Sequence, residues 1–404
     1  MSASVLPHEG MPVGWFGVGA PGTRVDDPYP ALNHLRETLP VHMTPAGTVR
    51  LFRHADVVRL LRETRVGVRT LDGVLPGVDE TEFGERKFML QQDPPNHTRL
   101  RRLVSRGFTP NRIKAMESHV QALVDDLLEQ ALSQNEMDVI ADLARPLPAT
   151  VICQMLGVPL ADRDRFTDWT ARITHLLVPA HLTTTVRERA FEALSSLLSY
   201  MDPLISERRK ALGEDLLSDL IRAEEAGDRL STDELITHAM GLLIAGFETT
   251  IGLIGNGVRQ LLLHPQELAK LVAEPGLIGS AVEECLRFDG PIPGTLRVLH
   301  EQAEFGGYNL AADTPINVSL AAAHRDPRVF EAPDEFRIER DHSAHLAFGG
   351  GIHFCLGAHL ARLEAQKAIG TLIQRAPRLS LTSDAIEWGE SLFRIQARLM
   401  VTLR

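Results

Sequence analysis

The chain predicts a mostly α-helical protein with minor β-sheets. Three features carry that prediction. Apolar residues recur at three- and four-residue spacing from Asn96 to about Leu263, short stretches of strand character lie near 41–52 and 297–320, and the tail over 380–403 is again strand-like. Of 404 residues, 44% are hydrophobic, enough to bury a large core. No repeat, linker or low-complexity tract divides the chain, so a single domain over 1–404 is expected.

Residues 1–40 are rich in Pro and Gly and predict an irregular lead-in on the surface, with 1–30 outside the regular fold. Val41 to Phe52 has the alternation of short strands, and His54-Ala55-Asp56-Val57-Val58 opens a helix. Residues 66–92 carry glycines and little periodicity, as in a long loop of the kind that is often functional. Leu123, Val124, Leu127, Leu128 and Leu132 form a helical stripe that core packing explains. Arg297-Val298-Leu299, a Gly306-Gly307 turn and Ile316-Asn317-Val318 read as short strands.

The longest helix starts at a capping box, Ser231-Thr232-Asp233-Glu234, and stops at His264-Pro265. About 32 residues at roughly 1.5 Å each span roughly 48 Å, enough to cross the domain. Its middle, Ala239 to Ala245, is apolar nearly all round and must be buried. Then Ala245-Gly246-Phe247-Glu248-Thr249-Thr250 breaks the pattern. Glycine costs roughly 1 kcal/mol in a helix interior, and an acid in apolar surroundings is costly unless paired. Two readings follow: a functional site, where local rules are broken together, or a kink with Thr249 bonded to its own preceding turn.

Charge and cysteine content narrow the class. There are 42 basic and 53 acidic residues, a net charge of −11, which argues against general nucleic-acid binding. Three cysteines, an odd number, make no disulfide framework and point to a reducing cytoplasm. The N-terminus lacks a basic flank and an apolar core for secretion, and no membrane anchor is expected. Cys153 and Cys285 read as small buried hydrophobes.

Cys355 is different. It ends the glycine-rich stretch Phe348-Gly349-Gly350-Gly351-Ile352-His353-Phe354-Cys355-Leu356-Gly357, directly before the helical run Ala358 to Ala365. Backbone N–H groups at a helix start favour thiolate over thiol. The glycines let the backbone turn and pass close to a flat ligand, and Gly357 leaves room for it. A zinc ion would need a fuller ligand set than this His-x-Cys pair. A haem iron with an axial cysteinate suits the stretch better.

The ten-residue string is similar, position for position, to the Phe-Gly-x-Gly-x-His-x-Cys-x-Gly signature of the cytochrome P450 haem-thiolate monooxygenases. Ala245-Gly246-Phe247-Glu248-Thr249-Thr250 resembles that family's oxygen-activation motif. Glu284-x-x-Arg287 lies between the two, as the family's Glu-x-x-Arg pair does. The resemblance covers essentially residues 30–404 and implies the soluble bacterial type, with the long central helix crossing over a haem b. It makes Cys355 the iron ligand and Phe348 and Gly357 part of the haem pocket. His97, Arg101, Arg297 and His353 become partners of the haem propionates, and Ala245 and Gly246 leave room above the iron. Glu248 and Thr249 are then catalytic: Thr249 holds O2 and its water, and Glu248 helps to relay protons. Glu284 and Arg287 are structural, with Arg340 as third partner. Arg99 and Arg102 read as solvated charges, and His324 and His359 as packing or surface histidines.

The implied reaction is insertion of one oxygen atom from O2 into an apolar small molecule of the terpenoid, steroid, fatty acid or polyketide class, by C–H hydroxylation or epoxidation. Substrate contacts are expected from the 70–92 loop, the 173–185 region, Leu242, Ala245, Ile292, Pro293, Thr295, Leu392 and Phe393. No flavin or iron–sulfur motif is present, so a ferredoxin or flavodoxin-type donor with its NAD(P)H reductase is implied. Arg101, Arg102, Arg106, Arg112 and Lys114 read as a solvated helix face that, in the family, lies where such a donor docks. A monomer is expected. The rival readings are a peroxide-driven peroxygenase, against which the intact Glu248-Thr249 pair argues, and a non-catalytic haem-based ligand sensor, which has no use for that pair.

Overall fold

A computed structural model of the chain describes residues 25–44, 47–76, 87–177, 183–222, 224–225, 228–341, 343–391 and 393–403. The central helix, Thr232–Leu263, begins at the predicted capping box. Glu234 N–H donates to the Ser231 hydroxyl at 3.1 Å, and the Glu234 carboxylate accepts from Ser231 N–H at 2.8 Å. It runs unbroken through Gly246 to Thr250. Among the described residues it alone is long and apolar enough to cross a membrane, but 72% of its most apolar window is buried, which marks it as a core helix. Gly257 permits close packing: a Cβ there would sit 3.2 Å from the Cys285 sulfur and 3.0 Å from Ile369, on the two helices Ile278–Asp289 and Ala358–Arg375.

The sheets are small. The largest has the strand order Val41–Met43, Val49–Leu51, Pro315–Ser319, Gly294–Leu299, Val66–Gly67. Ile316 and Val318 pair in parallel with Val49 and Leu51, and all four side chains are buried in a satellite core. The other pairings in this sheet are antiparallel. In the tail, Met400–Thr402 pairs with Ser380–Leu381 and with Glu136–Asp138, and Glu387–Trp388 pairs with Gln396–Arg398.

Two expectations are corrected. The lead-in is not irregular to residue 40: Tyr29–Thr38 is a helix with proline in its first turn, and it buries Leu32 and Leu35 against Phe52, Ala321 and Ala322. The partners that stabilise it lie far along the chain, so composition alone conceals it. The strand Glu136–Asp138 interrupts the stretch read as helical, because the tail supplies its ladder. The lead-in up to residue 24, residues 77–86 of the predicted loop, 178–182 and Leu392 lie outside the described residues.

Polar groups hold the proximal core. The Glu284 and Arg287 side chains have no exposed surface, and they pair through Nε–Oε2 at 2.7 Å and Nη2–Oε1 at 2.9 Å. Arg287 also donates to the carbonyls of His324, Pro333 and Glu335. Arg340 Nε lies 3.4 Å from Glu284 Oε1, and Arg337 N–H donates to the same oxygen at 2.7 Å. A second buried guanidinium, Arg394, donates to Asp289 at 3.0 Å and to the carbonyls of Val25 and Asp26, which ties the lead-in to the core.

Replacing Arg287 by alanine would strand the Glu284 carboxylate in the interior and remove three carbonyl partners. The expected loss is about 3–5 kcal/mol of stability, read as a lowered thermal midpoint or as failure to retain the folded state. A midpoint within a degree or so of the parent would show that the pair holds nothing together.

Candidate haem-binding site

The cysteine loop is built from local turns and distant pins. Gly349 and Gly351 have φ of +72° and +64°, conformations that favour glycine. A Cβ at Gly351 would sit 2.1 Å from the Leu61 carbonyl oxygen, and one at Gly350 would sit 3.3 Å from the Leu61 side chain. Gly349 and Gly351 make the predicted tight turn, and Gly350 and Gly351 also admit the helix His54–Arg62. Gly357 does stand beside open space, with nothing within 4 Å of a Cβ built there. His324 Nε2 accepts the Leu346 N–H at 2.8 Å, and His54 Nε2 bonds the Ala344 carbonyl at 2.8 Å. Cys355 N–H donates to the Phe348 carbonyl at 2.9 Å.

Cys355 is exposed, while burial is the largest influence on its thiol and raises the pKa. A group on the floor of a cleft is both reachable by solvent and surrounded by protein. The Gly357 N–H, Arg101 and Arg362 act in the opposite direction and favour the thiolate. The predicted helix-start effect is present, but in the protein alone burial outweighs it.

The mostly buried central helix leaves one small residue of its middle exposed. Ala245 is exposed and Thr249, one turn on, is half-buried. Gly246 points elsewhere, since a Cβ there would face Ile152 at 3.5 Å, so Ala245 alone of the pair opens the space. Thr249 Oγ1 donates to the Ala245 carbonyl at 3.0 Å. The back-bonded threonine of the second sequence reading is thus realised without a break in the helix.

Glu248 is buried. Its pKa is pushed up to about 7, by burial first, against the lowering effects of hydrogen bonds from Ser391 and Thr174 and of the Arg145 charge. The Ser391 hydroxyl donates to Glu248 Oε2 at 2.9 Å. The predicted contact turn thus brings Ser391 to the acid, and Phe393 N–H donates back to the Ser391 hydroxyl. Sequence reasoning missed Ser391, Thr174 and a second buried acid, Glu364 on the helix after Cys355. Burial pushes Glu364 up to about 8, and it hydrogen-bonds Thr250. Nothing local in the sequence signals these contacts.

The four predicted propionate partners come together. The His97 and His353 rings are 4.3 Å apart, and the charges of Arg101 and Arg297 are both felt at each. Burial, then these cations, push His353 down to about 3, and Arg297 is lowered to about 10, chiefly by burial. His97 Nδ1 and His353 Nε2 are buried without a hydrogen-bond partner. The acid felt here, Asp93, already accepts the backbone N–H groups of Val68 and Arg69. A cluster of buried basic groups short of anionic partners fits a dianionic ligand. Its position beside Cys355, two residues from His353 in the same loop, fits haem. Arg99 is not a solvated charge: it pairs with Glu234 of the capping box. Of the predicted substrate contacts, Leu242 and Pro293 are buried, and Ile292 and Thr295 are half-buried.

This fold and site define a haem-thiolate monooxygenase. Residues 37–376 match the Cytochrome P450 family profile. The chain is 42% identical over 363 residues to the cytochrome P450 monooxygenase PikC of Streptomyces venezuelae, covering 88% of this chain and 85% of that one. It is 38% identical over 392 residues to a vitamin D(3) 25-hydroxylase of Pseudonocardia autotrophica, covering 95% of each. Its structure superposes on P450BioI, solved with a hexadec-9Z-enoic acid-ligated acyl carrier protein, with a TM-score of 0.87 at 34% identity, covering 94% of this chain and 98% of that one. The chain belongs to the cytochrome P450 family, and haem b is its cofactor.

Glu248 has a sharp pH signature. Its folded pKa of about 7 stands above the ordinary 4.5, so the folded state holds a proton that the unfolded state releases. Any stability gained this way is complete below pH ~4.5 and is lost as the pH rises to about 7. Glu248→Gln escapes that loss, so it should gain on the parent by a few kcal/mol between about pH 4.5 and 7. Thermal midpoints at pH 5 and pH 8 check this, and an unchanged difference between the two proteins would refute it.

Proposed function

We propose that this monooxygenase hydroxylates a medium-to-large apolar molecule of the polyketide, steroid or fatty acyl kind. The observation that carries this is the small, exposed Ala245 in the middle of a mostly buried helix, together with the aliphatic character of the predicted contacts Leu242, Ile292 and Pro293. The relatives named for vitamin D(3) hydroxylation and solved with a bound long acyl chain support the class. Electrons come from a separate ferredoxin or flavodoxin-type donor in the cytoplasm. The segment with exposed Arg102, Arg106 and Lys114 is a docking face of the right charge. Arg112 is already tied to Asp219 and to the Glu214 carbonyl.

When bound, haem held by Cys355 would supply the oxygen chemistry, the insertion of one atom of O2 into a C–H bond, as cysteinyl haem ligation does in general. His97, Arg101, Arg297 and His353 would hold its propionates, and Phe348 and Gly357 would line its bed. Thr249 spends its hydroxyl proton on the Ala245 carbonyl, so its oxygen lone pairs are left to accept from water or a protonated oxygen species in the opening. Glu248, poised near neutrality, gives and regains protons, with Ser391 and Thr174 orienting its carboxyl.

Thr249→Ala should keep the haem yet divert reducing equivalents into hydrogen peroxide. Simultaneous assay of NAD(P)H consumed, product and peroxide with surrogate donors decides it, and unchanged coupling would remove Thr249 from proton control. Optical titration of the ferric protein with steroids, macrolides and fatty acids tests the substrate class. A saturable blue shift of the Soret band for one class supports the proposal, and none for any of them overturns it.

A further inference from the structure

On the cysteine side, a group of charged residues stands outside the network just described. Glu283, next to the structural Glu284, points the other way and takes three donors. Arg362 Nε donates to Oε1 at 2.6 Å and Nη2 to Oε2 at 2.8 Å, and His345 Nε2 lies 2.6 Å from Oε2. The His345 tautomer follows from its other nitrogen. Nδ1 accepts the Ala347 N–H at 3.2 Å, so Nε2 carries the proton and donates. Burial raises the Glu283 carboxyl, but the hydrogen bonds from Arg362 and His345 and the Arg362 charge hold it down to about 2, so it is an anion at any working pH.

Arg362 lies on the helix that follows Cys355, with its guanidinium carbon 4.3 Å from the Phe348 ring centroid. Phe348 is the residue whose carbonyl accepts the Cys355 N–H. Arg362 thus stacks on the ring of the residue that hydrogen-bonds the Cys355 backbone, and one carboxylate holds and partly neutralises its guanidinium. The Arg362 side chain is 27% exposed and that of Glu283 18%, so solvent screens the pair only in part.

We propose that Glu283 and Arg362 are positioning residues whose opposed charges set the reduction potential of the haem iron. The proposal rests on the haem-thiolate reading of Cys355. In the reduction step one electron passes from the one-electron donor that the reaction already requires to the ferric iron. No bond is made or broken and no proton is taken up, so the site gains one negative charge. A nearby cation stabilises that added charge and a nearby anion opposes it. Glu283 therefore damps the pull of Arg362, and His345 keeps the carboxylate in place.

The test is a spectroelectrochemical titration of the haem-loaded protein and of its Glu283→Gln, Arg362→Gln and Arg362→Lys variants at low and high salt. Glu283→Gln should raise the midpoint potential and Arg362→Gln should lower it. Arg362→Lys should remain nearer the parent than Arg362→Gln, and high salt should shrink all the displacements. Simple loosening of the loop would move both charge-removing variants the same way, and that result, or no movement in either, overturns the proposal. If Glu283→Gln fails to fold, the sign for Arg362→Gln decides: a lowered potential supports the proposal, and a raised or unchanged one refutes it. The ferrous carbonyl spectrum of each protein reports whether the thiolate ligand is intact. Its absence in the unsubstituted chain would count against the Cys355 reading rather than against the charge pair.

Discussion

Arg287 has no exposed surface, and the cysteine side of the molecule is organised around it. Its guanidinium binds the Glu284 carboxylate and three backbone carbonyls from the segment between His324 and Glu335. A planar cation with several fixed donors can serve several chain segments at once, which an ammonium cannot. The segment from Arg325 to Arg340 has little regular structure of its own. It is ordered because its carbonyls must find donors on leaving water, and Arg287 with Arg340 supplies them. The cysteine loop then starts from a fixed platform, and His324 joins the two by lending its carbonyl to Arg287 and its Nε2 to Leu346.

Charge is distributed around the cleft with a clear logic. Basic groups gather at His97, Arg101, Arg297 and His353 with too few anions to balance them, and burial keeps the two histidines neutral until an anionic ligand arrives. Across the central helix the acids Glu248 and Glu364 are held near neutrality by the same cost of burying charge. Desolvation thus prepares one region to receive a dianion and another to hold protons. The hydroxyls of Ser391 and Thr174 hydrogen-bond one of these acids and that of Thr250 the other.

The two adjacent glutamates of the helix Ile278–Asp289 divide their work by direction. Glu284 faces Arg287 and Arg340 in the interior, whereas Glu283 faces Arg362 and His345 at the rim of the cysteine loop. Successive helical residues point about 100° apart, so neighbours in sequence serve different surroundings. One of the two holds the fold, and the other acts on the electrostatics near the sulfur.

What could be read from the chain alone was whatever is written within a few residues. The capping box at Ser231 and Glu234, the stop at Pro265, the turn glycines before Cys355 and the alternation of Ile316 and Val318 all act over one or two turns or one pleat, so spacing suffices to reveal them. The central helix accordingly starts and stops where its sequence predicts. The helix Tyr29–Thr38, the strand Glu136–Asp138, and the meeting of Ser391, Thr174 and Glu364 with the central helix depend on partners up to several hundred residues away. Local sequence carries no record of such partners. The same holds for the approach of Gly351 to the Leu61 carbonyl, which leaves no room for a Cβ. Residue identity and spacing determined which chemical groups this protein has to work with. Tertiary packing decided which of them lose water together, and so which are charged, which hold a proton and which stand open to a ligand.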